Sequence, residues 1–472
     1  MKIKNILLLL LTFTLASCDK YLDVSPDART SLDGVSKVKE LLVTAYPTAN
    51  YITFAEGASD NVIDKIDGVK YSISVPPFLF EDYGNVDGGE GTDTPIYYWY
   101  NCYSAIAAAN HALAAIANVS DQKAYLPYKG EALLARAYAH FMLVTFFSKA
   151  YVAGQANSSP GIPYLDAPET QMQPKYDRRT VDYVYQMIEN DINEGIPLIK
   201  NTVYTVPKYH FTTQAAHAFA SRFFLFKKNY AKVIEHANQV VAGGNFSNSL
   251  RPWITEYNAL STNATKTRYG LPTEAANLLV SNSSTRWGYE NANYRYGLST
   301  ELNQQLMIKV NVTGASWGQR TATGRHNKFT SDDPNLPLLS AEEVLFNRAE
   351  AYAYTGQNEK ALADLNLYAS KRITGYNATT NEITLSKIRD FYATTDDQTG
   401  LVNTVLDFKR SEFVQEGIRW FDILRHGITV RHDVLDDAGT YVRTINVDKN
   451  DLRRVFQIPT EAKLAGIELN PR

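Results

Sequence analysis

Residues 337–372, PLLSAEEVLFNRAEAYAYTGQNEKALADLNLYASKR, constrain the fold more than any other stretch of this chain. Ser340 stands where a helix is capped, and Glu343 three places on predicts a capping box, with Leu339 and Val344 able to staple the start. Leu345, Ala349, Tyr352 and Ala353 then share one helical face, and Gly356 permits the left-handed residue that ends a helix. After a turn at Gln357-Asn358, Ala361, Leu365, Tyr368 and Ala369 return to the three-four spacing. Two short amphipathic helices joined in this way cannot bury their apolar stripes alone, so the sequence must supply further copies.

It does so in degenerate form. Thr94 caps and Pro95 takes the first helical position, followed by Tyr103, Ile106, Asn110, Leu113 and Ala117 in phase. Leu134, Ala137, Phe141 and Val144 form the return. A helix from Thr180 carries Val181, Val184, Ile188 and Ile192. Thr212 or Thr213 starts another with Ala216, Ala220, Phe223 and Phe224, and Lys228-Asn229 turns it into Tyr230, Val233, Ala237 and Val240. Laying Lys228 on Gly356 pairs Ser221 with Ala349, Phe224 with Tyr352 and Ala237 with Leu365, the pattern of a tetratricopeptide unit of about 34 residues. Val35, Val38, Leu42 and Ala45 predict a first helix stopped by Pro47. A short helix is expected over 383–391, a longer one over 401–425 broken near Gly417, and a β-hairpin from Ile428–Val434 and Tyr441–Val447. Between 244 and 336 the helical period fades while Asn, Ser, Thr and Gly rise, and such long loop regions carry function. The expected fold class is therefore mainly α, with degenerate tetratricopeptide-like hairpins packed against an irregular, loop-rich lobe with few short strands. The scaffold is assigned to 34–243 and 337–425, the irregular ligand-binding lobe to 244–336, and its C-terminal hairpin and tail to 426–472.

The net charge of -3 and the absence of a basic run argue against nucleic acid. Lys2 and Lys4 precede an apolar run from Ile6 to Leu15 that leads into Ala16-Ser17-Cys18. This is an export signal over 1–17, too short to span a bilayer. The Leu-Ala-Ser-Cys order resembles a bacterial lipobox, which implies lipid on Cys18 and a tether over 18–33. Cys102 is the only other cysteine, so no intrachain disulfide is expected. The glycine-acid stretch Asp87–Asp93 reads as a solvated loop; structural calcium there is the alternative, and no cofactor is expected.

Ordered motifs then mark a family. They are Cys18-Asp19-Lys20-Tyr21-Leu22-Asp23, Gly130-Glu131-Ala132-Leu133-Leu134-Ala135-Arg136-Ala137, Arg348-Ala349-Glu350-Ala351, Arg410-Ser411-Glu412-Phe413, Glu416-Gly417-Ile418-Arg419, Asp422-Ile423-Leu424-Arg425 and Asn470-Pro471. Together the chain resembles the SusD/RagB nutrient-binding outer-membrane lipoproteins of Bacteroidota over nearly its whole length. The resemblance implies a non-enzymatic, lipid-anchored, cell-surface protein that binds an oligosaccharide and sits over a TonB-dependent transporter (SusC-like) as its partner.

Sugar rings present apolar faces edged by hydroxyls, so their binders offer an aromatic plate beside Asn, Arg and carboxylate groups. Two clusters have that makeup: Tyr97–Asn101 at the start of the first hairpin, and Trp287, Tyr289, Tyr294 and Tyr296 among asparagines, with Trp317 beyond. By region the resemblance points to Trp287, Tyr289, Tyr296, Trp317, Trp99 and Asn101 as ligand-binding residues. Core packing is the competing role for Trp99. The charged run 410–425 reads as an ion-paired helix, with Glu416–Arg419 and Asp422–Arg425 three apart. Enzyme readings are thin. Gly314–Gly318 matches a G-x-S-x-G elbow but has no helical stripe after it. A glycosidase would need two facing carboxylates, for which Asp60, Asp64, Asp93 and Glu290 are available. A protein–protein adaptor is the third reading.

Overall fold

The structure, a computed structural model, describes residues 32 and 34–472, apart from 84–90, 172–173, 284, 286, 288–292, 299–310, 314–327 and 330–334. Cys18, Tyr289, Trp317, the Gly314–Gly318 elbow and most of the glycine-acid loop lie outside the described residues. Helix α1 (Val35–Leu42) buries Val38 and Leu42, and α2 (Ile52–Gly57) is buried along its whole length. Strand β1 (Ile63–Asp64) and α3 (Val75–Leu79) follow. Then α4 (Pro95–Ala117) begins as expected, with the Thr94 hydroxyl accepting the Tyr97 amide, and α5 (Leu126–Phe147) packs along it. Helix α6 (Val181–Gly195) starts at the Thr180 cap. A Cβ on Gly130 of α5 would lie 2.8 Å from the Gly195 carbonyl, so the α5–α6 approach needs glycine there.

Thr212 caps α7 (Thr213–Phe226), and Lys228, at φ 54°, turns the chain into α8 (Tyr230–Val240). Within the irregular stretch lies a helix that periodicity does not announce, α9 (Thr262–Gly270). Its Ser261 cap holds it, while Tyr269 and Gly270 are its buried residues, so it carries no apolar stripe to be read. Strand β2 (Asn277–Asn282) precedes β3 (Tyr296–Gly297), which pairs antiparallel with β1. Strand β4 (Asn335–Ser340) pairs antiparallel with β2 through two register shifts. The residues expected to lead into the central hairpin are thus a strand that ends on its cap.

The central hairpin itself is α10 (Ala341–Tyr354) and α11 (Asn358–Ser370), turned at Gly356 with φ 71°. Ser340 Oγ accepts the Glu343 amide at 3.4 Å, but the Glu343 carboxylate does not complete the capping box. It is held instead by Arg222 of α7 at 2.6 and 2.5 Å, a stronger, charge-assisted partner. Helices α12 (Leu385–Tyr392), α13 (Asp397–Glu412) and α14 (Ile418–His426) lead to the hairpin β5 (Val430–Leu435) and β6 (Tyr441–Val447). Gln415 and Gly417 both stand at φ 73°, so the chain leaves the helix between α13 and α14. For that reason Glu416 does not pair with Arg419 as helical spacing predicts. Lys328 takes Glu416 at 2.5 Å, Arg419 goes to Asp60 at 2.9 Å, and the Asp422–Arg425 pair forms at 2.6 Å.

The expected fold class holds: helical hairpins dominate, and the sheets are two-stranded. One large apolar cluster runs through the hairpins, from Phe54 and Ile106 to Leu365 and Trp420. A second, mostly aromatic cluster gathers Phe78, Trp253, Tyr257, Tyr269, Trp287, Tyr294, Tyr296 and Phe329. Between them runs a seam of fully buried ion pairs, Arg251–Glu342 at 2.8 Å and Arg372–Glu412 at 2.8 Å.

Candidate functional site

The beginning of α4 is fixed from several directions. Asp93, just ahead of the Thr94 cap, accepts hydrogen bonds at Oδ1 from Asn50 Nδ2 at 2.8 Å, Thr53 Oγ1 at 3.0 Å and Thr285 Oγ1 at 3.1 Å. A carboxylate there also suits the positive end of the helix. Thr285 lies two residues before Trp287, so this network brings the 285–287 segment to the start of the first hairpin.

From that fixed start the helix presents its aromatic run in alternate directions. Tyr98 is buried against Phe54 and Phe146. Trp99 is 3% exposed, its ring 4.9 Å from Tyr103 and edge-on to Phe147 at 4.9 Å. Tyr100 is 46% exposed. Trp99, Tyr100 and Tyr103 line a hollow of about 300 Å³, which is closed by Pro163–Glu169, Tyr176 and residues 461–467. Its polar groups are held in place. Tyr103 Oη donates to the Pro163 carbonyl at 3.0 Å, and Asn110 Nδ2 donates to the carbonyls of Leu165 at 3.0 Å and Ala167 at 3.3 Å. Tyr176 Oη donates to the Glu169 carboxylate. Burial, then Glu169, pushes the Tyr176 hydroxyl well above the ordinary tyrosine range, so it stays protonated and donating. The result is a preformed, ring-lined hollow with carboxylates Glu169 and Glu461 in its lining, at the lower end of ligand-pocket size.

Of the six residues singled out from sequence, Trp99 lines this hollow. Asn101 is half-buried on the same helix, with its amide engaged: Nδ2 donates to the Tyr97 carbonyl at 3.0 Å and Oδ1 accepts from Thr48 at 2.8 Å. Trp287 is 1% exposed and meets Tyr294 edge-on at 5.7 Å. Tyr296 is 4% exposed and stacks on Phe78 at 4.2 Å. Both belong to the second core, and neither turns a ring face to solvent. Tyr289 and Trp317 lie outside the described residues. Tyr103 carries the helical phase of a core residue in sequence, yet it walls the hollow. Tyr176, Glu169 and the 461–467 segment carry no local signal for their roles, because distant parts of the chain bring them together.

The carboxylates available for hydrolysis are otherwise engaged. Asp60 is bound by Arg419 and Arg410, Asp64 by Arg295 at 2.7 Å, and Asp93 by the three donors above; Glu290 lies outside the described residues. No group of three His, Cys, Asp or Glu side chains able to hold a metal occurs among the described residues.

Comparison with known proteins gives two family-model matches that divide the chain between them. Residues 20–225 match a family described as starch-binding associating with outer membrane, and residues 247–465 match the SusD family. No curated protein matches in sequence. Solved structures match over almost the whole chain. A putative sugar-binding protein from Bacteroides vulgatus is 22% identical with a TM-score of 0.67, covering 94% of this chain and 99% of its own. A SusD superfamily protein from Bacteroides fragilis is 19% identical with a TM-score of 0.67, covering 91% and 96%. A laminarin-binding SusD-like protein is 16% identical with a TM-score of 0.60, covering 92% and 99%. At these identities the likeness establishes the fold.

Proposed function

This chain belongs to the SusD/RagB family, and from that membership and the aromatic hollow we propose that it captures an oligosaccharide and hands it on unchanged. The observation that carries this reading is the hollow itself. Tyr100 stands open to solvent, with the half-buried rings of Tyr103 and Tyr176, a buried edge of Trp99 and the Glu169 and Glu461 carboxylates lining the space beside it, which offers a sugar ring an aromatic face and hydrogen-bond partners. Tyr100 forms the exposed plate, and Trp99 backs it from within. Trp287 and Tyr296 serve as the packed support of the neighbouring loops, from which Tyr289 and Trp317 contribute further contacts, and Asn101 steadies the α4 surface. Lipid on Cys18 holds the protein at the outer membrane, facing outward, and a TonB-dependent transporter receives the ligand. Residues 34–243 and 337–425 act as scaffold, and 244–336 with 426–472 carry the ligand loops.

Stacking on a preformed platform supports affinities near the micromolar range, about -8 kcal/mol. The test is isothermal titration with a panel that includes laminarin- and starch-derived oligosaccharides, comparing the wild type with Tyr100→Ala. Loss of one stacking ring weakens binding by about tenfold, roughly 1.4 kcal/mol. Unaltered affinity removes this site, and silence across the panel removes the function. Release of new reducing ends from any glycan moves the protein to the hydrolases.

A further inference from the structure

A second hollow, of about 440 Å³, opens where the C-terminal end of α10 meets α12, α13 and α14. Its floor is apolar, from Val402 and Leu406, and its walls are the half-buried rings of Tyr354 and Tyr392. Tyr354 is held flat by Tyr230, whose ring lies 4.4 Å away at an interplanar angle of 8°. Two amides face this space. Asn403 is half-buried and Gln398 exposed, and neither side chain has a hydrogen-bond partner among the described residues.

The charged groups of the lining already have partners. Arg419 gives Nε and Nη2 to Asp60 at 2.9 Å each, and His426 Nε2 lies 3.1 Å from Glu350. Asp407 accepts the Tyr392 hydroxyl at 2.8 Å. A charged ligand would have to break one of these pairs and leave its partner desolvated, which is costly. A neutral polyol would not. It would find two ring faces, an apolar floor and two amides, each able to donate and accept.

We infer that this hollow is a second binding site for a neutral oligosaccharide, separate from the Trp99–Tyr100 hollow. It is assigned on its own lining, and the choice of glycan probes alone rests on the function proposed above. Two sites on one protein would hold a long chain at two points, raising its retention through effective concentration.

The test is titration of the full chain with short neutral oligosaccharides derived from laminarin, starch, mannan, xylan and galactan. Wild type, Tyr100→Ala, Asn403→Ala and Asn403→Trp are compared, the last filling the hollow. The expected result is two sites per chain for at least one probe, one of them weakened tenfold or more by either Asn403 variant and unmoved by Tyr100→Ala. The urea midpoint of Asn403→Ala should match the wild type, since no contact is removed. One site sensitive only to Tyr100 overturns this inference and leaves the proposed function standing. One site sensitive only to Asn403 removes the Trp99–Tyr100 site and leaves this one standing. Binding that ignores both positions, or no binding by any probe, overturns it as well.

Discussion

Replacing Arg372 by methionine tests the physics of the seam between the two cores. Arg372 gives Nε and Nη2 to the two carboxylate oxygens of Glu412 at 2.9 and 2.8 Å, and both side chains are fully buried. Nη1 donates to the Arg251 carbonyl at 3.0 Å, while Glu412 also accepts the Tyr368 hydroxyl at 2.7 Å. Burial alone would push the Glu412 carboxyl up; Arg372, helped by Lys328 and the Tyr368 hydroxyl, outweighs it and brings the group down from 4.5 to about 2. Removing one member of a buried pair costs about 3–5 kcal/mol, because a buried charge is left uncompensated. Arg372→Met should therefore lower the unfolding free energy by about 3–5 kcal/mol at pH 7. Urea unfolding at constant slope reads this directly. The sign with pH is defined. In the wild type the carboxylate's contribution is complete above 4.5 and fades as pH falls from there through about 2. In the variant the carboxyl rises above its unfolded value, so the cost shrinks as pH falls from 7 toward 4.5. Adding Glu412→Gln removes the stranded charge but keeps an acceptor for Tyr368, so the double variant should be more stable than Arg372→Met alone. A single-variant cost under about 1 kcal/mol, or effects that simply add in the double variant, would refute the argument.

Gly417→Ala forces alanine to φ 73° and sets its Cβ 3.0 Å from the Tyr51 ring. A loss of about 2 kcal/mol in urea unfolding is expected. His140 Nε2 accepts the Leu165 amide at 3.0 Å, and its Nδ1 lies 3.0 Å from the Arg136 carbonyl. Burial and then Arg136 hold its pKa well below 6.5, so the folded state stays neutral while the unfolded state takes up a proton. Stability should therefore fall below pH 6.5, by at most about 1.4 kcal/mol per pH unit from this group, and His140→Gln should flatten that slope. Asn470 Nδ2 donates to Phe147 at 3.1 Å and Phe456 at 2.8 Å, and its Oδ1 accepts from Arg178 at 2.8 Å. Asn470→Ala should loosen the tail by roughly 2–3 kcal/mol, seen as faster amide exchange over 456–470.

Local signals made much of this fold legible. Thr94, Thr180, Thr212 and Ser340 are all caps, and Gly356 and Gly417 both stand where a left-handed residue is needed. What local reasoning could not reach is who meets whom at long range. Glu343 looks like the second half of a capping box until Arg222 arrives from 121 positions away. Glu416 and Arg419 are three apart, but the pairing rule holds only inside a helix, and Gly417 is not in one. The candidate hollow was legible to the same degree. Aromatic clustering marked Trp99 and its neighbours, but polar neighbours around Trp287 did not mean exposure, because the asparagines beside it need not share its orientation. Tyr176 and the 461–467 segment could not be read, since a hollow closed by distant segments leaves no trace in any one of them.

That closure has a consequence for how the protein matures. The plate of the hollow is written near residue 100, while part of its wall comes from residues 461–467. An amino-terminal fragment, however well its first helices fold, holds an open bench instead of a cup. During synthesis, then, closure of this hollow arrives last, when the final stretch packs back onto the first hairpin. Any chain cut short upstream of Glu461 would carry the plate of this hollow without that part of its wall.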